Sequence, residues 1–326
     1  MKFETLDWFS GSHRPHLGQF LLWGLLLGGA LQLYNAYPSA TGERNIPVTI
    51  FWFLPDFLRT NESFFFLCRN VYLVAGCCWA FQVLTPWTSW VTVGAFTAVV
   101  SLFYENSTYI SHIFHQTNLV LLIHAMWYHY HQREIQNSIA SGTFWNSKLY
   151  PNWALELSVF SLALYHFYAA ISKLWFSGLD WVNGVSFQVW LHLWGREGSI
   201  LADAVLANAK VAMVFQLLAL VVEFLCIFAI FSKRIRLLAG ICLLGLYFSI
   251  FESFGYFFQL NCFLVTLIFL PFQEWFEKLY IHFQNRGAYW KIKLPKVFSK
   301  GLALFLQKRF DPFGCIEMVN QDRKSE

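Results

Sequence analysis

The segment Trp153–Leu174 constrains the fold most, because it is an apolar run that carries a lysine, Lys173, at its end. About 20 apolar residues are enough to cross a bilayer as a helix, so this run is predicted to span a membrane. Two residues common at backbone turns, Gly178 and Gly184, follow it. An ionisable group at the edge of the hydrocarbon layer is a candidate functional residue. The alternative is that Lys173 reaches the headgroups and only anchors the helix end.

The composition indicates that other runs span as well. The 326 residues are 57% hydrophobic and 13% charged, whereas soluble domains contain about 25% charged residues. The sequence therefore predicts an all-α multi-pass membrane protein, a bundle of about eight transmembrane helices with short interfacial or re-entrant segments. The predicted transmembrane domain covers residues 1–272, and residues 273–326 form a basic cytoplasmic tail. The predicted spans are Leu17–Tyr37, Phe64–Leu84, Trp87–Tyr104, Tyr109–Tyr128, Trp153–Leu174, Leu206–Phe231, Leu237–Phe254 and Tyr256–Pro271.

Three shorter segments are not predicted to span. Val48–Leu58 is aromatic and contains a proline, and its length favours an interfacial or re-entrant element. His129–Asn152 is a polar loop. Trp175–Asp203 is irregular and aromatic and contains glycines, and it is predicted to form an amphipathic cap over one face of the bundle.

The distribution of Lys and Arg predicts the orientation, because these residues accumulate on the cytoplasmic side of a membrane. With both termini inside, the outer segments hold only Arg44, Arg59 and Arg196. The inner segments then hold Lys2, Arg14, Arg133, Lys148, Lys233, Arg234, Arg236 and ten more in the tail. The chain is therefore predicted to be an integral membrane protein with cytoplasmic termini and lipid as its surroundings, and nothing in it indicates a nucleic-acid partner.

This orientation brings polar groups of the predicted helices four, five, seven and eight to the outer leaflet. Because unpaired polar groups in hydrocarbon are expensive, we expect these four helices to line an apolar cavity that holds them, under the Trp175–Asp203 segment. Aromatic rings near Lys173 can hold a flat ligand ring, although an aromatic belt has the same composition. The candidate site residues are Tyr109, His112, His115, His166, Tyr168, Lys173, Trp181 and Glu252.

Other polar groups have simpler interpretations. His112 and His115 are three residues apart on one helix face, but no HxxxH or HExxH spacing supports a metal, and none is predicted. His166 lies two turns before Lys173 on the same face. It is predicted to form a hydrogen bond in the core; the alternatives are a hydrogen bond to helix four or a place in the floor of the cavity. Glu156, Glu223 and His124 are predicted to make interhelical hydrogen bonds.

The stretch Phe167–Leu174, followed by Asp180–Gly184, resembles the vitamin K-dependent gamma-carboxylase family and its bacterial relatives, which share the HTTM (horizontally transferred transmembrane) domain. The family pattern is an aromatic-rich helix that ends in a lysine pair. Lys173 matches the second lysine, the base that deprotonates the quinol, and Ser172 stands at the first. The family's catalytic histidine corresponds to Ser107 here, and His112 or His115 would have to replace it.

The resemblance implies a bacterial inner-membrane enzyme that uses a membrane quinol and acts, with a partner, on a secreted peptide. A lysine in an apolar pocket can be neutral near pH 7 and accept a proton such as that of a quinol hydroxyl. Two rivals stay open. A non-enzymatic assembly or interaction subunit would keep the fold and lose the chemistry, which Ser107 favours. A transporter is less favoured, since neither repeats nor paired broken helices are visible.

Overall fold

The computed structural model describes residues 12–13, 15–35, 55–59, 61–105, 113–140, 150–151, 153–255, 259–271, 275, 282, 290–294 and 316–320. The chain divides into two units. The first unit contains residues 1–8, 110–120 and 154–271, and the second contains residues 9–109, 121–153 and 272–326. The predicted division of the chain at residue 272 into a transmembrane domain and a cytoplasmic tail stays a prediction.

Helices form most of the described part of both units. They are α1 (Pro15–Asn35), α2 (Asp56–Arg59), α3 (Glu62–Ala80), α4 (Trp87–Glu105), α5 (Ile113–Tyr130), α6 (Gln132–Ala140), α7 (Trp153–Ser177), α8 (Val185–Trp194), α9 (Ile200–Ala207), α10 (Ala209–Leu225), α11 (Lys233–Phe254) and α12 (Gln259–Phe269). Short 3-10 turns, Gly178–Trp181 and Cys226–Ile230, follow α7 and α10.

Within the described residues, five helical segments are long and apolar enough to cross a membrane. A shorter apolar helix, Leu21–Tyr34, does not reach that length. The helical class and the membrane-type composition are therefore confirmed, and five of the eight predicted spans correspond to a described helix of this length. The five segments are Glu62–Ala80, Trp87–Tyr104, Trp153–Trp181, Ala209–Ile230 and Lys233–Phe254.

Two small ladders accompany the helices. Strand β1 (Ser12–His13) pairs antiparallel with β2 (Tyr150–Pro151). Strand β3 (Trp290–Leu294) pairs parallel with β4 (Ile316–Asn320), with Trp290 opposite Ile316. The second ladder lies in the predicted tail, where no strand was expected. Its first strand reads Trp-Lys-Ile-Lys-Leu, and this alternation of apolar and charged residues is the period of a strand.

In the second unit, α1 packs against α3 through polar groups that satisfy backbone carbonyls. The Tyr72 hydroxyl donates to the Leu26 carbonyl at 3.0 Å, and the Trp23 indole N–H donates to the Ala80 carbonyl at 2.7 Å. Helix α3 begins where the Asn61 side chain accepts hydrogen bonds from two backbone N–H groups of the first turn. This unit contributes no described residue to the candidate site.

In the first unit, side-chain caps start the helices that carry the site. Ser199, Asn208 and Ser232 accept backbone N–H bonds at the starts of α9, α10 and α11. Helix α11 ends at Gly255, whose φ of +74° is the left-handed conformation favoured at this position. A buried cluster joins α8 to α9 and α10, and it consists of Leu191, Ala202, Val205 and Ala212.

The segment predicted to be an irregular cap is mostly helical. Helix α7 continues to Ser177, and α8 and the start of α9 fill much of the rest. Gly184, with φ +76°, precedes α8, and Gly195 ends it. Ten residues between two glycines are too short for a span, and they are too few for a helical period to be distinguished. The predicted polar loop His129–Asn152 likewise contains α6.

Candidate functional site

The first unit contains a partly open cavity of about 740 Å³, one wall of which is formed by α8. Small-molecule sites typically occupy about 300–1,000 Å³ and are mostly apolar with a few polar groups. The walls have this character. Their apolar part includes Phe187 and Trp190 of α8, Leu218 and Val222 of α10, and Leu246 and Ile250 of α11.

Lys173 and Glu223 form an ion pair in the wall of this cavity. The Lys173 Nζ of α7 donates a short hydrogen bond to Oε2 of Glu223 on α10. The lysine side chain is 27% exposed and the glutamate side chain 11% exposed. The predicted interhelical bond of Glu223 is confirmed. The sequence did not indicate that this carboxylate would be the partner of Lys173.

The Trp181 ring also lies against this lysine. The Lys173 Nζ lies 5.0 Å from the centroid of the Trp181 ring, a distance at which the ring face attracts a cation. Trp181 belongs to the 3-10 turn after α7, so the turn at Gly178 folds this ring back over the lysine. The structure therefore brings together two of the predicted site residues, Lys173 and Trp181.

A glutamine of α10 fastens the loop that carries Trp181. The Gln216 Nε2 donates to the Trp181 carbonyl at 2.8 Å and to the Ser186 hydroxyl at 3.0 Å. Its Oε1 accepts from the Gly184 backbone N–H at 2.7 Å. Gln216 is buried, and it lies two turns before Glu223 on the same face of α10. The Gln216 side chain, which lies inside a candidate span, thus makes three hydrogen bonds.

Two further polar contacts of α7 lie away from the cavity. The buried His166 Nε2 and the Tyr247 hydroxyl of α11 form a hydrogen bond of 3.1 Å. The prediction that His166 bonds in the core is confirmed, but its partner is on helix seven rather than helix four. Glu156 at the start of α7 pairs with Arg236 at the start of α11, which confirms its interhelical role.

Three other predicted site residues do not line the cavity. Tyr168 is 69% exposed and lies about 140° around α7 from Lys173. His115 is exposed on α5, and Glu252 is half-buried at the edge of the α11 stripe that lines the cavity. Tyr109 and His112 lie outside the described residues.

The cavity is lined by helices five, six and seven of the prediction, together with the α8 segment, as far as the structure describes the chain. The expected contribution of helices four and eight is not seen among these residues. Helix six is not part of the predicted lining, because Glu223 is interpreted from the sequence as making an interhelical hydrogen bond. The signal was present, since Gln216 and Glu223 stand seven residues apart in an otherwise apolar run, and intramembrane polar groups on one face mark a site.

Two rim residues add polar groups that sequence reasoning also missed. Asp180 and Asn183 line the cavity beside Trp181. The Asn183 Oδ1 accepts hydrogen bonds from the backbone N–H and the hydroxyl of Ser186, at 2.9 and 3.0 Å. The described residues contain no cluster of three or more His, Cys, Asp or Glu side chains that could hold a metal ion.

The chain matches no protein-family model, no curated protein and no solved structure.

Proposed function

We propose that the chain is an integral membrane protein of about eight spans, with both termini in the cytoplasm of a bacterium and the protein in its inner membrane. Five helices of membrane-spanning length and composition support the insertion. The excess of Lys and Arg in the inner segments supports the orientation. In this orientation the end of α7 that carries Lys173 faces the outside of the cell.

We further propose that the fold is of the HTTM type and that the cavity binds a membrane quinol. The resemblance that suggests this runs from Phe167 to Gly184. The observation that carries the function is the Lys173–Glu223 ion pair in the wall of a mostly apolar cavity. The cavity volume accommodates a ring of one or two fused six-membered cycles with part of a chain, and the Trp181 and Trp190 rings offer faces for it.

A bound quinol would supply an acidic hydroxyl and reducing electrons. The residues of the chain would handle the proton. The Lys173 Nζ–H proton passes to Glu223 Oε2, and the amine thus freed takes the hydroxyl proton of the ligand. After both transfers Glu223 is neutral, and the Lys173 ammonium lies next to the oxygen that lost its proton, where a positive charge stabilises it.

The resemblance also suggests the further reaction, a carboxylase-like modification of a secreted peptide. In the proposal, a separate partner would present that peptide at the outer face, because the described residues of the first unit form a membrane-type bundle around a ligand-sized cavity. The Lys173–Glu223 pair would supply the deprotonation, and the partner would supply the substrate.

The test uses menadiol, a small quinol, with the purified protein in lipid nanodiscs under anaerobic conditions. We expect the parent protein to bind menadiol and to shift its ultraviolet spectrum to that of the deprotonated form. Lys173→Arg keeps the positive charge and the ion pair with Glu223, but an arginine does not give up its proton in a protein. This variant should bind menadiol without the spectral shift.

The control is Glu156→Gln, which breaks an ion pair of the same helix outside the cavity. It should leave both binding and the shift intact. Deprotonation of menadiol by a well-assembled Lys173→Arg protein would remove Lys173 from the proton transfer. Absence of any menadiol binding by the parent protein would remove the quinol.

A non-enzymatic membrane subunit is the second candidate. It is favoured by the Glu156–Arg236 pair, which also involves α7 and joins two helices without lining the cavity. The Lys173–Glu223 pair would then have the same structural role. In that case Lys173→Arg would leave every cellular phenotype of the protein unchanged, and the parent protein would not bind menadiol.

A further inference from the structure

The loop between α7 and α8 forms a wall of the cavity but has little packing of its own. Asp180, Trp181, Asn183 and Ser186 all line the cavity. The Leu179 side chain is exposed, as is Gly184's neighbour Val185. The turn depends on Gly184, because a Cβ at that position would collide with the Ala209 carbonyl. Something outside the loop must therefore hold it in this place.

We infer that Gln216 is the positioning residue of the site: its amide fixes the Trp181–Ser186 loop on α10 and so sets the Trp181 ring over Lys173. This inference rests on the proposed function for its consequence in ligand binding. One side chain bonds both ends and the middle of the loop, through the Trp181 carbonyl, the Gly184 N–H and the Ser186 hydroxyl. The Trp181 carbonyl is held directly, so the amide fixes the backbone from which the ring extends over Lys173.

The direction of the hydrogen bonds extends the effect to the rim. Ser186 accepts from Gln216 and donates its own hydroxyl proton to the Asn183 Oδ1. The Asn183 side chain is thereby oriented with its carbonyl oxygen towards Ser186 and its NH₂ group away from it. The same Asn183 Oδ1 also accepts from the Ser186 backbone N–H, so Gln216 extends a hydrogen-bond chain that reaches the rim, although it makes no hydrogen bond to the Lys173–Glu223 pair.

A matched control exists in the same unit. Gln188 of α8 also bridges two elements, because its Nε2 donates to the carbonyls of Val205 and Leu206 at 2.9 and 3.1 Å. It does not line the cavity, and its side-chain amide bonds Val205 and Leu206 rather than the Trp181–Ser186 loop. Gln188→Met and Gln216→Met remove the same amide and keep nearly the same length, so only the second should affect the site.

The first readout needs no ligand. Cys242 lines the cavity from α11, and its alkylation by N-ethylmaleimide, followed by mass spectrometry, reports how often the wall opens. We expect Gln216→Met to raise this rate roughly tenfold, about the effect of losing 1.4 kcal/mol of hydrogen bonding. Gln188→Met should label Cys242 at the parent rate, and the exposed Cys77 of the other unit should react equally in all variants.

The second readout is menadiol affinity in a double-mutant cycle with Trp181→Leu. If Gln216 acts through Trp181, Gln216→Met should weaken binding in the parent and have no added effect in the Trp181→Leu protein. Additive losses would show a general loss of structure and overturn the positioning role. An unchanged Cys242 rate would overturn it as well.

The two proposals fail separately. If the parent protein does not bind menadiol while Gln216→Met accelerates Cys242 labelling, the quinol proposal fails and the positioning role stands. If Gln216→Met does not assemble, Gln216→Glu replaces it. That variant keeps an acceptor for the Gly184 N–H and opposes the Trp181 carbonyl with an oxygen, so Cys242 labelling should again increase.

Discussion

Removing the Lys173–Glu223 pair one partner at a time should affect stability in a defined order. Truncation of one member of a buried pair typically costs about 3–5 kcal/mol, because a charge is left unpaired. Here the lysine is 27% exposed and the glutamate 11% exposed, so the surviving charge is only partly buried and we expect a smaller loss. Glu223→Leu leaves the more exposed charge and should cost about 1.5 kcal/mol.

Lys173→Met leaves the more buried carboxylate and also removes the contact with the Trp181 ring at 5.0 Å. Since such a contact contributes about 0.5–1 kcal/mol, we expect this variant to lose about 2.5 kcal/mol. The double variant replaces both charges by apolar groups of similar length and should lose only about 1 kcal/mol. The coupling between the two positions is then about 3 kcal/mol.

Unfolding by sodium dodecyl sulfate, followed by circular dichroism on protein in mixed micelles, measures all three differences. The same cycle on Glu156→Leu and Arg236→Met provides the comparison, since that pair is not in the cavity wall. Losses that add within about 0.5 kcal/mol would refute the reasoning, because independent sites behave in this way. The reverse order of the two single variants would refute the argument from exposure.

Two further predictions concern the backbone and the orientation. Gly184→Ala should destabilise the protein more than Gly178→Ala in the same unfolding assay: both glycines have positive φ, +76° and +59°, but only at Gly184 would a Cβ collide with a neighbouring carbonyl. The difference should exceed about 1 kcal/mol, and equal losses would contradict the close approach to Ala209. Reporter fusions at residue 326 and within Trp175–Asp203 should lie on opposite sides of the membrane, and the same side for both would overturn the proposed topology and the outer position of Lys173.

The positions of the long helices could be predicted well from the sequence, because a long apolar run has few possible structures other than a helix. The runs around Trp153 and Leu237 appear as α7 and α11 with ends shifted by a few residues. Gly184 was recognised as a turn residue, and its positive φ confirms this. The helix α8 was missed because ten residues between two glycines are too few for a helical period to be distinguished, even with Ser186, Gln188 and His192 among them.

The partners within the site could not be predicted in the same way. Lys173 was identified from its place at the end of an apolar run, but which helix packs against it depends on tertiary packing that no local pattern contains. His166 illustrates the limit, since its face and burial were predicted and its partner Tyr247 was not. Gln216 and Glu223 could have been found by treating every polar residue inside an apolar run as a site candidate.

The two ion pairs of α7 together restrict how this helix can change in evolution. Glu156 is bonded to α11 and Lys173 to α10, and 17 positions separate them along one continuous helix. Each inserted or deleted residue would turn one end by about 100° relative to the other and move it about 1.5 Å along the axis. No such change lets both pairs form again in place, so we expect natural variants of this protein to differ in loop lengths while α7 keeps its number of residues between Glu156 and Lys173.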